Sequence, residues 1–149
     1  MNVSGKTTRL LVALAVICAT LPIGAQSAEK FTARLAWVPI TGANRADVTG
    51  KGSATATLTG TTLAITGSFE GLAAPATVAR LHEGVARGAR GPAIVDLTIA
   101  KAAGGTLSGS IQLTKQQLES LRQGRLYVQV HSEKGVAPDG SNLWGWFLR

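Results

Sequence analysis

The stretch "ATATLTGTTLAITGSF" (residues 54–69) decides the fold class, because two runs of alternating residues flank one turn. Every second residue before Gly60 is Ala or Leu, and every second residue from Leu63 onward is Leu, Ile, Gly or Phe. A period of two is typical of β-strands that bury one face. Gly60 lies in "TGTT" (residues 59–62), which predicts the loop of a β-hairpin between the two runs.

The same alternation recurs through most of the chain after residue 30. The strand candidates are Phe31–Trp37, Ser53–Leu58, Thr62–Phe69, Thr77–His82, Ala93–Ala100, Thr106–Leu113, Arg125–His131 and Asn142–Leu148. Short strands in this number, separated by turn residues, favour an all-β fold, namely a Greek-key antiparallel β-sandwich or barrel.

One segment, "TKQQLESLRQG" (residues 114–124), departs from the alternation. Thr114 and Gln117 have the spacing of a capping box, in which each side chain satisfies a backbone N–H of the first helical turn. Leu118 and Leu121 fall on one helical face, and Gly124 is a typical C-terminal stop. The sequence therefore predicts one short helix near residues 115–122.

The N-terminal residues have the pattern of an export signal. Lys6 and Arg9 precede the apolar run "LLVALAVICATLPIGA" (residues 10–25), and small residues follow it. We expect residues 1–28 to be a signal peptide and residues 29–149 to form one domain. The run is shorter than the roughly 18 to 20 residues that span a bilayer, so we expect no stable membrane span after cleavage. The predicted location is periplasmic or secreted.

Composition excludes several kinds of site. Cys18 is the only cysteine and belongs to the predicted leader, so the mature chain has no residue for disulfides, thiolate catalysis or zinc–cysteine sites. The formal net charge is +7, but the basic residues are scattered. An exported protein meets no genome, so we expect no nucleic-acid partner and interpret the charge as solubility with weak attraction to anionic partners.

His82 and His131 are the only histidines, and each lies at the C-terminal end of a predicted strand. If those strands are neighbours with their ends together, both imidazoles could converge with Glu83, Glu133 or Asp139. Two histidines and a carboxylate suffice for zinc, or with lower specificity for copper. A second interpretation is that each histidine hydrogen-bonds a carbonyl or carboxylate and fixes a loop. General acid–base catalysis is a third.

Two other groups of side chains are candidates for a binding surface. Arg80, Arg87 and Arg90 form a loose basic group. The loop that carries Arg87 and Arg90 suits a ligand with carboxylate or phosphate groups, although a solvated loop also explains it. Trp144 and Trp146 share one face of the last strand, where they either pack in the core or stack on sugars, peptides or a partner protein. A long loop is predicted at residues 132–142, and binding residues often lie on such loops.

The sequence contains no local pattern of a known catalytic centre. There is no G-x-S-x-G turn for a nucleophilic serine, and the acidic residues are mostly single. The glycines of residues 84–91 follow a strand but precede no helix, so they do not form a phosphate-binding loop. We therefore expect a protein without enzymatic activity.

Four segments resemble the CHRD domain, the module named after chordin. They are "TVARLHEG" (residues 77–84), "GARGPAIVDL" (88–97), "LTKQQLESLRQGRLYVQVHSEKG" (113–135) and "PDGSNLWGWFL" (138–148). Their order and spacing follow the family pattern over nearly the whole predicted domain. The resemblance implies a β-sandwich similar to immunoglobulin or copper/zinc superoxide dismutase folds, and it implies little about activity.

The family's histidine positions are only partly kept. In its H-I-H motif the second histidine corresponds to His82 and the first to Arg80, and the histidine of V-N-V-H-T corresponds to His131. The family ending E-I-R-G-Q becomes residues 142–146, without its acid and arginine. Superoxide dismutase activity is not expected, because its metal centres need several histidines and Arg80 would repel a cation.

These observations together predict an exported CHRD-domain protein that acts as a non-catalytic binding or accessory module of the cell envelope. The expected partner is an envelope protein or a small ligand, and no cofactor is expected. The alternative is a zinc- or copper-binding protein that uses His82 and His131.

Overall fold

The computed structural model describes Met1 and residues 27–149. Almost all of the predicted signal peptide therefore lies outside the described residues. The strands are β1 (Glu29–Trp37), β2 (Lys51–Thr59), β3 (Thr62–Glu70), β4 (Ala76–Glu83), β5 (Ala93–Ile99), β6 (Gly105–Gln112), β7 (Leu126–Val136) and β8 (Ser141–Trp146). A 3-10 turn (Gly42–Asn44) and one helix, α1 (Lys115–Arg122), complete these elements.

The strands close into an antiparallel barrel in the order β1-β2-β3-β6-β5-β4-β7-β8, with β8 paired to β1. The predictions of an all-β antiparallel fold and of its one short helix are confirmed. The predicted hairpin is also present, since Thr59 and Thr62 form the last pair between β2 and β3 and Gly60 has a φ of 61°. Two junctions are short: β1 with β8 and β5 with β6 each show two paired positions.

Alternation along the strands fills the interior of the barrel. Inward residues from all eight strands and from α1 form one apolar cluster. Burying one leucine, isoleucine or phenylalanine side chain stabilises a fold by roughly 1.5 to 3 kcal/mol. The largest fully buried members of the apolar cluster are Phe31, Leu35, Leu58, Leu63, Ile65, Leu81, Leu107, Leu121, Leu126, Leu143 and Phe147.

The helix forms as its capping residues predict. The Thr114 hydroxyl accepts a hydrogen bond from the Gln117 N–H at 3.2 Å, and the Gln117 side chain accepts one from the Thr114 N–H at 3.0 Å. Leu121 is fully buried in the core and Leu118 packs against it, so the apolar face of α1 anchors it on the barrel. No helix among the described residues is long and apolar enough to cross a membrane.

The prediction of a long loop at residues 132–142 is wrong, because most of these residues belong to strands. β7 continues to Val136 and β8 begins at Ser141, with register shifts between them. The buried Asn142 amide donates to the Ser132 hydroxyl at 3.0 Å and to the Lys134 carbonyl at 3.1 Å. These bonds from a polar side chain hold the irregular end of the hairpin, and they leave no trace in the alternation pattern.

Candidate functional site

Strand β7 is buried on both faces, although its polar face lies outside the barrel interior. Leu126, Val128 and Val130 point inward, as the alternation predicts. The side chains between them are nevertheless only 1% (Tyr127) and 2% (Gln129 and His131) exposed. Neighbouring strands and two loops therefore cover the outward face of β7.

We call the side chains gathered there the outer cluster. Its members are Arg80, His82, Arg90, Tyr127, Gln129, His131, Asp139, Trp144 and Trp146.

The register of β4, β7 and β8 arranges this cluster in rows across the sheet. In the first row Tyr127 of β7 lies between His82 of β4 and Trp146 of β8. In the second row Gln129 lies between Arg80 and Trp144. Side chains opposite each other on adjacent strands are close enough to interact directly.

The two histidines lie on the same face but do not share a row. β4 and β7 are neighbours, yet they are antiparallel, so His131 lies opposite Val78 while His82 lies opposite Tyr127. Val78 and His82 are four residues apart, which is about 13 Å along a strand. The strands are therefore neighbours, but the ends that carry the two histidines do not lie together. Within residues 27–149 no group of three or more His, Cys, Asp or Glu side chains is placed to hold a metal ion.

His82 fixes the loop that follows β4. Its Nδ1 lies 3.0 Å from the Gly91 carbonyl oxygen, and since a carbonyl only accepts, Nδ1 carries the proton. The Tyr127 hydroxyl accepts from the Gly91 N–H at 3.1 Å, and the Tyr127 ring stacks on His82 with centroids 4.9 Å apart. A Cβ on Gly91 would collide with the Glu83 backbone oxygen, so only glycine fits at this loop base.

His131 fixes the turn between β7 and β8 in the same way. Its Nδ1 lies 3.0 Å from the Asp139 carbonyl oxygen and 3.9 Å from the Asp139 carboxylate. Its Nε2 is 3.4 Å from the Gln129 amide nitrogen, which donates to it. Each imidazole therefore donates Nδ1–H to a loop carbonyl, as the loop-fixing interpretation predicts.

The electrostatic surroundings keep both imidazoles neutral. Burial lowers the pKa of His82 and of His131, and the loop carbonyls oppose that shift. The charge of His131 lowers the pKa of His82 further, and the Asp139 carboxylate raises that of His131. Arg80 and Arg90 lower the pKa of both histidines. For Asp139, partial burial alone would raise the pKa, but hydrogen bonds from Ser141 hold it below its ordinary value. Near neutral pH the two imidazoles are therefore neutral and Asp139 is a carboxylate.

The two tryptophans of β8 point outward, so the interpretation of their side chains as barrel core is wrong. Leu143 and Phe147 occupy the interior instead, while Trp144 and Trp146 are half-buried on the outer face. Tyr127 and Trp146 have centroids 4.2 Å apart, and the two indoles meet edge to face at 6.1 Å. The Arg90 guanidinium lies 5.5 Å from the Trp144 centroid, which is within the range of a cation–π contact.

The other candidate residues contribute less to this cluster. Arg80 is ion-paired with Asp96 of β5 at 2.7 Å. Glu83 accepts a hydrogen bond from the Ser120 hydroxyl, away from the histidines, while Arg87 and Glu133 are exposed.

Sequence reasoning did not select Tyr127 and Gln129, although both carry much of the cluster. The available signal was their place on the same strand face as His131. It also missed two adjoining clefts of about 390 and 450 Å³, both lined by Arg34 and Lys51. A cleft built from separate strands leaves no local pattern in the sequence.

These features define a class of domain, namely a closed antiparallel barrel with a polar and aromatic cluster on its outer surface. The chain belongs to the CHRD domain family, since the family model described as CHRD domain matches residues 36–140. The match spans β2 to β7 and ends before Trp144 and Trp146. No curated protein and no solved structure matches the chain.

Proposed function

We propose that this chain is an exported, non-catalytic binding or accessory module of the cell envelope, and that its ligand docks on the outer cluster. The observation that carries the proposal is the fixed arrangement of Trp144, Trp146 and Arg90 at the surface. Tyr127, packed beneath, contacts both indoles. Groups already held in place lose little conformational entropy when a ligand binds.

The chemistry of the cluster favours a ligand with a flat apolar part and an anionic group. The indoles offer apolar area, and Arg90 offers a cation beside them. The Arg90 side chain forms no ion pair with a carboxylate among the described residues, and its one polar contact is Ser141 Oγ at 3.5 Å. Arginine pairs well with carboxylate or phosphate, so either a small anionic ligand or an acidic region of an envelope protein is a suitable partner.

The absence of catalysis is part of the proposal. Both histidines donate Nδ1–H to a loop carbonyl, and this bond supports a positioning role for them. A hydrolytic or redox turnover that survives purification and disappears in His82→Ala or His131→Ala would overturn this part.

A tryptophan fluorescence titration tests the docking site. The titrants are inorganic phosphate, succinate and galacturonate, each at constant ionic strength. We expect saturable quenching with at least one of them in the wild type, its loss in Arg90→Gln, and its retention in Arg45→Gln, which removes the same charge from an exposed site elsewhere. Equal responses of the two variants, or no saturable response to any titrant, would contradict the proposed site.

We also propose a fold type and a cellular location for this chain. The order β7-β4-β5-β6 places β7 beside β4, which supports a Greek-key barrel of immunoglobulin-like or superoxide-dismutase-like type. A periplasmic or secreted location is supported by the predicted signal peptide. N-terminal sequencing of the protein from a native envelope or culture fraction is expected to begin at Ala28 or Glu29, and a chain that retains Met1 would contradict export by cleavage.

Zinc or copper binding by His82 and His131 is the second candidate. It is favoured by the Nδ1–H bonds, which leave Nε2 unprotonated, the arrangement found in many metal-bound histidines. His82 Nε2 is also buried without a hydrogen-bond partner among the described residues.

Calorimetric titration with zinc and with copper distinguishes the candidates. Stoichiometric binding that is lost in the His82→Ala/His131→Ala double variant would favour metal binding. No binding at micromolar metal would remove it, while leaving the docking proposal intact.

A further inference from the structure

We propose that the binding face continues from β8 onto β1 and β2, and that its ligand is an acidic oligosaccharide of the polyuronate kind. The β8 half of this path rests on the proposed function. The β1–β2 half rests on two clefts and a third exposed tryptophan that the outer cluster does not include.

The pairing of β8 with β1 makes the two halves continuous. Ala36 lies opposite Trp144, and a backbone bridge joins Thr32 to Leu148 in the same register. That register places Arg34 level with Trp146 on the outer face. Adjacent strands are separated by about 4.8 Å, so Arg34 lies directly beside Trp146 on the outer face.

Beyond Arg34 the surface forms a trough. One cleft of about 390 Å³ is lined by Arg34, Lys51, Phe69, Glu70 and small residues of β2 and β3. A second cleft of about 450 Å³ is lined by Arg34, Lys51 and Trp37. Because the two clefts share Arg34 and Lys51, they adjoin along the same side chains. Trp37 is 52% exposed, and its indole N–H donates to the Gly50 carbonyl at 2.8 Å, which holds the ring beside the trough.

The cations of the trough are available to a ligand. Arg34 forms no ion pair with any carboxylate in the part of the chain that the structure describes. Lys51 contacts Glu70 at 3.3 Å, but both side chains are at least 70% exposed. An exposed pair of this kind contributes little free energy, so an anionic ligand displaces Glu70 at small cost.

A polyuronate chain matches this order of groups. Each sugar ring presents an apolar C–H face, which suits an indole, and each carries a carboxylate, which suits arginine or lysine. Cations lie on both sides of the two β8 tryptophans, with Arg90 on one side and Arg34 and Lys51 on the other. This arrangement suits a ligand with repeated charges. A single phosphate or carboxylate would engage only one of them.

The test is calorimetric titration with galacturonate monomer, trimer and hexamer at constant ionic strength. We expect affinity to rise with chain length, because later rings bind to a chain already held at Arg90. Arg34→Gln/Lys51→Gln is expected to weaken hexamer binding by about tenfold, corresponding to two exposed ion pairs, and to leave monomer binding unchanged.

Three controls test whether binding depends on the position of the removed charges, on the Trp37 ring and on the charge of the sugar. Lys101→Gln/Lys115→Gln removes two exposed charges, one between β5 and β6 and one on α1, and is expected to bind the hexamer like the wild type. Trp37→Ala is expected to weaken hexamer binding but not monomer binding. Maltohexaose, which is neutral, is expected not to bind measurably.

The outcomes distinguish this inference from the proposed function. Equal affinities for monomer and hexamer, with no effect of Arg34→Gln/Lys51→Gln, would overturn the path while Arg90-dependent binding stands. Tighter binding of polyglutamate or of anionic phospholipid vesicles through the same residues would overturn the assignment to acidic sugars. If Arg90→Gln still binds every ligand that the wild type binds, the proposed function itself is overturned.

Discussion

The barrel has two outer surfaces that differ although both are made of alternating strands. On β2, β3 and β6 the outward residues are mainly small hydroxyl residues in contact with solvent, such as Thr66, which lies between Thr55 and Ser108. On β4, β7 and β8 the outward residues include Tyr127, Gln129 and His131, which are buried. The same strand pattern thus supports a solvated surface on one side and an organised cluster on the other.

The difference shows what a buried polar face requires. A hydrated threonine needs no protein partner, whereas a buried polar atom that loses water costs free energy unless it gains a hydrogen bond. Gln129 and His131 bond to each other, and Tyr127 and His82 both bond to Gly91. The cluster therefore depends on specific loops, and the solvated surface does not.

The sharpest test of this contrast is truncation of the central side chain on each surface. Tyr127→Ala is expected to lower the free energy of unfolding by about 3 to 5 kcal/mol, the usual range for removing a buried aromatic ring. Thr66→Ala, on the solvated surface, is expected to cost less than about 1 kcal/mol. Chemical denaturation measures both values, and similar losses would show that the two surfaces do not differ in this way.

Adding a methyl group at the base of the 84–92 loop has the next largest expected effect. In Gly91→Ala the new Cβ meets the Glu83 backbone oxygen, and overpacking of this kind costs about 1 to 3 kcal/mol. Gly42→Ala is the control, because no atom lies within 4 Å of its Cβ position. Thermal unfolding compares them, and an unchanged midpoint in Gly91→Ala would mean that the loop is not anchored at this residue.

The buried His131 and the half-buried His82 make stability depend on pH. Because the pKa of each is lowered from 6.5 in the folded protein, the unfolded chain binds more protons below about pH 6.5. The free energy of unfolding therefore has its full value above that pH. It decreases as the pH drops below it, by at most about 1.4 kcal/mol per pH unit for each histidine.

Urea denaturation between pH 7.5 and 5.0 measures this slope. His82→Gln/His131→Gln is expected to flatten it, since neither glutamine titrates. Asp139 acts at lower pH, because its lowered pKa makes its stabilising contribution disappear only below about pH 3.8. A slope in the double variant as steep as in the wild type would assign the effect to other groups.

The smallest expected effect is at the edge of the cluster. Arg80→Gln removes the ion pair with Asp96, whose side chains are 36% and 66% exposed, so we expect a loss of at most about 1 kcal/mol. Asp96→Asn is expected to cause a similar loss, and the double variant no more than either alone. Additive losses in this double-mutant cycle would show that the pair does not interact in solution.

The sequence alone predicted the features that depend on local chemistry. Alternation located the eight strands and the inward residues of β7, and the capping box of Thr114 and Gln117 located α1. These signals are local because a strand has a period of two and a helix start needs partners three residues apart. The family resemblance was carried by residues in the same segments and is confirmed by the family match.

Only the tertiary structure decided which strands are neighbours and which side of β8 faces inward. Both faces of the last segment, residues 141–148, are apolar: Leu143 and Phe147 lie on one, and Trp144 and Trp146 on the other. Alternation therefore could not choose between them. The separation of His82 from His131 follows from the antiparallel register of β4 and β7, which pairs residues distant in sequence. Pairing across a closed barrel is a property of the whole sheet, and no short stretch of sequence specifies it.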